Sequence, residues 1–482
     1  LTAAAQLYAY IVQVNNRVDD EQINDTTSLQ SICPSLAGNF TINSAVATGG
    51  VNFQTFTDAV NAINNCGING PVTFTVAPGS GPYIEQVELM TIQGASATNT
   101  ITFNGNNAVL AFDAGSADRH VIKLNGAKHV TIDSLTINAL NDTYGWGIHL
   151  VNEADSNRIT NNTINVASSS TSSSNSIGIV ATNSNTSVSS TGANANHTVI
   201  ANNTVNGGYY GIRLNGISTG RAYNNHIVNN NVKNFYSYGI YLYYADSTLV
   251  EANEVSRPDT SRTTTFYGIY VGSNTWNSLI SKNRIHTPFG ADTSKTSSAY
   301  ALYTSSADAP QGAENKFVNN LVYDFKSAGT IYAIYNSSSN SAHYFHNTVV
   351  LDHAAASTSS STRGFYQTST ASNIEIKNNI FYITRGGTGS NYGLYFSTTA
   401  SGIISDNNVF FVDAQNTDIG YHSGAKATLA DWQQANNNAF DQNSIVADPQ
   451  FTNVAAANFE PMNPAINNMG APVGVAEDIN GV

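Results

Sequence analysis

A five-residue pattern, aromatic-Gly-aliphatic-x-aliphatic, returns along most of this chain, and no other feature restricts its fold as much. It reads Trp146-Gly147-Ile148-His149-Leu150, Tyr210-Gly211-Ile212-Arg213-Leu214, Tyr238-Gly239-Ile240-Tyr241-Leu242 and Tyr267-Gly268-Ile269-Tyr270-Val271. Variants follow at Tyr300-Ala301-Leu302-Tyr303, Tyr332-Ala333-Ile334-Tyr335, Arg363-Gly364-Phe365-Tyr366 and Tyr392-Gly393-Leu394-Tyr395. With Ile177-Gly178-Ile179-Val180 fitting between the first two copies, the Gly or Ala recurs every 28 to 33 residues, a period of roughly thirty. A second line, Asn or Asn-Asn leading into a short apolar strand, trails most copies, as at Asn161-Asn162-Thr163-Ile164, Asn202-Asn203-Thr204-Val205 and Asn378-Asn379-Ile380.

Two short alternating strands per period carry no helical spacing. Alone, such a unit cannot bury its apolar face. Stacked, each strand pairs in parallel with its own copy one period on, ~4.8 Å away. Asn at a fixed turn then bonds the Asn above and below, which accounts for an Asn content of roughly 13%, far above the usual share. A propeller blade needs four strands per repeat, and only two or three fit here. The expected fold is all-β: a right-handed parallel β-helix of about ten to twelve coils with a short N-terminal capping helix.

Composition narrows the class. Charged residues are 11% and hydrophobic residues 41% of the 482, with 25 Tyr and 20 Phe, which excludes a disordered acidic chain. No run approaches ~18 apolar residues, so no membrane span is expected. A net charge of −13 speaks against a nucleic-acid partner held by bulk charge, while a local groove can still be basic. Cys33 and Cys66 can form one disulfide. The Lys-poor, Ser/Thr/Asn-rich composition and a start at Leu1 without Met suggest a secreted, extracellular protein with its signal segment removed or its start trimmed. A monomer is expected.

The repeat resembles the right-handed parallel β-helix proteins of the pectin-lyase-like superfamily over roughly residues 40–470. Within it, Ala59-Val60-Asn61-Ala62-Ile63 looks like the usual capping helix, with Thr57 or Asp58 as its cap, and Val72-Thr73-Phe74-Thr75-Val76 like the first strand. Asp448-Pro449-Gln450-Phe451 through Asn467 looks like a closing segment. The domain reading is an unplaced N-terminal extension over 1–38, the β-helix over 39–470 and a closing tail over 471–482. The resemblance implies polysaccharide lyases and hydrolases, with tail-spike and adhesin-like binders beside them.

If the aliphatic residues face the core, x faces out. The x column reads Lys123, His149, Val180, Arg213, Tyr241, Tyr270, Tyr303, Tyr335, Tyr366, Tyr395 and, one period later, His422. No carboxylate is expected at an x position. Stacked rings with cations suit an extended sugar chain bearing acidic groups, although like-on-like strand packing also explains the Tyr run from 303 to 395. The expected catalytic set for β-elimination is Tyr241 as acid and/or base, His149 as base or ligand, and Arg213 and Lys123 as neutralisers of a uronate carboxylate. A nearby cation would lower the Tyr241 pKa. Tyr210, Asn215, Tyr243, Tyr244, Tyr270 and Tyr303 are expected to bind substrate.

The leading function is thus a secreted lyase on an anionic, uronate-containing glycan; the column resembles that of Tyr/His-type polysaccharide lyases, fucoidan-type lyases among them, which implies that a sulfated, fucoidan-like glycan is one candidate. The alternatives are a glycoside hydrolase, with Asp113, Asp118, Glu153, Asp155 and Asp246 as candidates, or a non-catalytic glycan-binding solenoid. Asn416-Thr417-Asp418 matches one hydrolase signature run by chance, without its companions. The pectate-lyase Arg-x-Pro-x-x-Arg run is absent. No cofactor is expected, calcium is left open, and no metal ligands are assigned. Ser-rich runs such as 168–174 read as long turns flanking the groove.

Overall fold

The computed structural model describes residues 33–259 and 264–482 in full, and only the backbone of Ala5–Leu7, Gln13–Val14, Arg17–Val18 and Gln30–Ile32 before them. The extension expected over 1–38 lies mostly outside the described residues. Three sheets of 14, 13 and 13 strands run the length of the molecule, and nearly every pairing in them is parallel. This is a parallel β-helix, the expected fold class. It has about 13 coils rather than ten to twelve. The extra coils precede Trp146 and lack the aromatic-Gly signature, yet Val87–Leu89 pairs in register with His120–Asn125, and that strand with Gly145–Val151.

One coil shows the plan. Arg158–Thr160 belongs to the first sheet, Thr163–Asn165 to the second and Ser176–Ala181 to the third. Only a two-residue turn joins the first two, whereas longer loops enter and leave the third sheet. Inward residues of all coils, such as Ile148, Leu150, Ile179, Ile212 and Ile240, fill one continuous core.

The two demands placed on Asn fall on neighbouring residues. The first turn residue takes a left-handed conformation, as at Asn161, Asn202, Asn229, Asn319, Asn378 and Asn407. The second points inward and forms a buried ladder from Asn162 through Asn203, Asn230, Asn253, Asn283, Asn320, Asn347 and Asn379 to Asn408. Each Nδ2 donates to the next Oδ1 at 2.9–3.1 Å. Each Oδ1 also accepts the backbone N–H of the preceding Asn, so every buried polar group at the turn is satisfied. The ladder ends where Asn408 donates to the fully buried Asp441 at 2.8 Å. Asp441 is held there by Trp432, Ser405 and Ser444 in the closing cap.

At the other end, Phe56–Cys66 forms the capping helix and buries Phe56, Ala59, Val60 and Ile63, one stripe at helical spacing. Its cap is Thr55, not Thr57 or Asp58, because Phe56 already belongs to the buried face; the Thr55 hydroxyl accepts from Asp58 N–H at 2.9 Å. Cys33 and Cys66 are disulfide-bonded. At the far end, the hairpin of Phe451–Asn453 and Asn458–Pro461 lies against Tyr323 and Tyr382. The last residues return along the Asn turns, with Asn407, Asn378 and Asn319 donating to Met469, Ala471 and Glu477 carbonyls. No helix among the described residues is long and apolar enough to cross a membrane.

Candidate glycan-binding face on the third sheet

The five-residue repeat departs from strict alternation. In Tyr267-Gly268-Ile269-Tyr270-Val271, Gly268 and Ile269 both turn inward while Tyr267 and Tyr270 both face out. Where Ala replaces Gly, at 301 and 333, its methyl group lies in the core. A Cβ at Gly268 would meet Ile285 Cγ2 and the Ala301 carbonyl, each at 2.6 Å, which is why small residues hold this place. The consequence is two outward columns instead of one. Alongside the x column runs a second, Tyr210, Tyr238, Tyr267, Tyr300, Tyr332, Arg363, Tyr392 and Asp418, which strict period-two reading does not reveal.

Within each column the rings stack at nearly the coil repeat: Tyr238–Tyr267 at 4.5 Å, Tyr300–Tyr332 at 4.8 Å, Tyr241–Tyr270 at 4.5 Å and Tyr303–Tyr335 at 4.6 Å. Between columns they meet nearly at right angles, 83° for Tyr238–Tyr241 and 86° for Tyr300–Tyr303. The spacing exceeds ring contact of ~3.5 Å, so the rings tilt, and the two columns tilt oppositely. This herringbone uses the ring faces on one another. Sugar CH groups cannot pack on those faces; the columns offer edges and hydroxyls. Ser305 and Ser337 join that polar row through Tyr270 and Tyr303.

Arg213 closes the herringbone at one end. Its guanidinium lies 4.2 Å over the Tyr241 ring and 4.7 Å over Tyr210, and its Nε donates to Asn215 at 2.9 Å. Arg363 sits five coils further on, over Tyr332, Tyr366 and Tyr395 at 4.8–5.0 Å. Among the described residues, neither arginine has a carboxylate partner; every ion pair is made by Lys or His.

Burial raises the Tyr241 phenol, and the opposing pull of Arg213 does not offset it. The expected lowering is therefore overturned: the cation lies over the ring face, and the ring is largely desolvated. Tyr238 rises for the same reason, and Tyr267 reaches about 12. A phenol whose folded pKa exceeds its unfolded value of ~10 contributes stability below pH ~10 and loses it as pH climbs through the folded value. Alkaline titration followed by phenolate absorbance should thus show the herringbone tyrosines ionising well above pH ~10, in one step with unfolding. A normal phenolate transition in the intact fold would contradict this packing.

The N-terminal stretch of this face is covered. Residues 167–175 and 182–198, the loops either side of Ser176–Ala181, fold over it, and Val188 packs with Trp146, Ile177, Val180 and Tyr210 as a separate apolar cluster. Ser174 O accepts from Trp146 Nε1 at 2.8 Å and Arg119 at 2.6 Å. The Ser-rich turns are therefore roof rather than open rim.

This roof corrects four of the expected site residues. His149 is fully buried; its Nε2 donates to the Thr182 carbonyl at 3.0 Å, Nδ1 has no partner, and burial lowers its pKa to about 4. Lys123, also buried, is engaged by Glu88 at 3.3 Å and Asp118 at 3.5 Å, so it is not free to neutralise a substrate. Asn215 is buried and donates to the Ala181 and Val188 carbonyls, which fastens the loop. Tyr210 is only 6% exposed beneath the roof, and Arg213, equally covered at 6%, presents little of its guanidinium to solvent. Tyr241, Tyr243, Tyr270 and Tyr303 stay partly open on the face, and Tyr244 turns away in a left-handed conformation beside Tyr243.

Two register details also change. Glu88 occupies an x position, paired with Lys123, so a carboxylate does stand in that column. At the far end x is Tyr421, while His422 points inward against Phe440. Glu88, Asp118 and His120 each offer a ligand atom within 4.8 Å of the others, the one such group among the described residues; Lys123 already lies against both carboxylates. Of the other carboxylates, Glu153 and Asp155 pair with Lys128, and Asp113 accepts from Asn141.

No known family and no curated protein matches the sequence. Among solved structures, the Dettilon tailspike protein is similar over 85% of this chain and 69% of its own, with a TM-score of 0.48 at 15% identity. The lacto-N-biosidase from Eubacterium ramulus covers 76% and 67%, with a TM-score of 0.43 at 10% identity. An alginate lyase from Paenibacillus covers 76% and 97%, with a TM-score of 0.32 at 11% identity. Each is a likeness of chain path only.

Proposed function

We propose that this protein acts outside the cell on an extended acidic polysaccharide laid along the outer face of the third sheet, and cleaves it by β-elimination beside Arg213. One observation carries the reading: two arginines without carboxylate partners stand five coils, ~24 Å, apart on a face otherwise made of tyrosine edges and hydroxyls. An arginine fork pairs well with carboxylate or sulfate.

The chemistry follows from the same residues. Arg213 neutralises a uronate carboxylate, which acidifies the adjacent C–H. Tyr241, kept protonated by burial, donates to the departing oxygen. The acidified proton goes to solvent hydroxide, because the nearest imidazole, His149, is covered by the roof and its pKa is lowered to about 4 by burial. Hydrolysis is less well served, because Lys123 occupies the space between Glu88 and Asp118 where a glycosidic oxygen would have to sit.

Uronate-rich and sulfated, fucoidan-like polysaccharides are the first substrates to assay, with and without calcium. The expected result is new ultraviolet absorbance from an unsaturated uronate. Reducing ends without that absorbance would mean hydrolysis, and binding without either product would mean an adhesive solenoid.

A further inference from the structure

We propose that Arg363, Tyr395 and Asp418 form a terminal sugar subsite at the C-terminal end of the tyrosine face, taking an acidic substituent at Arg363 and a hydroxyl pair of an uncharged sugar at Asp418. The inference rests on the acidic-glycan reading above and adds where along the bound chain negative charge is refused.

Register places the groups. Arg363, Tyr392 and Asp418 are successive members of one outward column, so two coils, ~10 Å, separate the backbones of cation and carboxylate. The Arg363 guanidinium lies 4.8 Å over Tyr395, which stacks on Tyr421 at 4.3 Å, and Tyr421 shares its strand with Asp418. Cation and carboxylate thus flank the same pair of rings without meeting.

Both are left open. The Arg363 Nε is buried with no acceptor, and among the described residues the guanidinium touches only rings and the Tyr332 hydroxyl. Among the described residues, no donor reaches the Asp418 carboxylate, and burial alone raises its pKa. A half-buried carboxylate beside rings, with no donor of its own, is completed by ligand O–H groups, of which it accepts two or more. An anionic substituent at the same place would meet like charge in a partly dry site. The Asn416-Thr417-Asp418 run, a chance match as a hydrolase signature, thereby gains a role in recognition.

Calorimetric binding of two oligosaccharides to the full chain tests this: one acidic at every sugar, one alternating acidic and neutral sugars. The wild type should prefer the alternating chain about tenfold. Asp418→Asn should tighten binding of the fully acidic chain about tenfold and weaken the alternating one severalfold, and Arg363→Gln should weaken both, with thermal midpoints unchanged for Asp418→Asn. Opposite shifts for the two ligands are not produced by a merely structural role. If the wild type binds the glycans but Asp418→Asn shifts neither, or shifts both in one direction, the subsite is overturned. If the wild type binds neither, the acidic-glycan reading itself falls, and the subsite with it.

Discussion

Replacing Arg213 with Gln should reduce affinity and turnover on an acidic polysaccharide by about 100-fold or more, because a charge-assisted pair and its neutralising role vanish together. Its guanidinium lies between the Tyr210 and Tyr241 rings, and its Nε is fixed by Asn215. Arg213→Lys should not restore function, since a point charge reproduces neither the stacking nor the fork. Stability should fall by about 2–3 kcal/mol, the worth of two largely desolvated cation–π contacts, which thermal unfolding would show. Turnover unchanged in Arg213→Gln, with the fold intact, would move the reaction away from this residue.

The second large effect is on folding. Asn283→Ala removes an amide that accepts from the Asn253 backbone and side chain, and donates to the Val250 carbonyl at 2.9 Å and to Asn320 at 2.9 Å. The side chain is fully buried, so water cannot replace these bonds. At ~1–3 kcal/mol for each group left unpaired, a loss of about 3–5 kcal/mol is expected, measured by denaturant unfolding. Because each coil touches only its neighbours, hydrogen exchange should rise first in the coils on either side of position 283. A cost below about 1 kcal/mol would show that the ladder is not a main support of the solenoid.

The sequence shows the solenoid plainly, because a period near thirty with two strand signals and Asn at one turn has few other physical solutions. It shows less of the face. Gly268 and Ile269 both turn inward, and this break in alternation, invisible to period-two reading, creates the second tyrosine column. The roof over His149 comes from loops whose Ser-rich composition signals a turn but not the direction in which it folds. Glu88 escapes notice because its strand is only 3 residues long and lacks the aromatic-Gly signature. Arg213 next to Tyr241 is legible from the repeat alone, since register fixes neighbours along a stack. The sign of the phenol's shift is not, because it depends on burial rather than proximity.

Crystals soaked with an acidic oligosaccharide give the most direct measurement. The sugar chain should run along the third sheet, parallel to the solenoid axis, with acidic groups within hydrogen-bond distance of Arg213 and Arg363. A ligand seated instead on the second sheet, between the closing hairpin and the returning tail, would contradict the account.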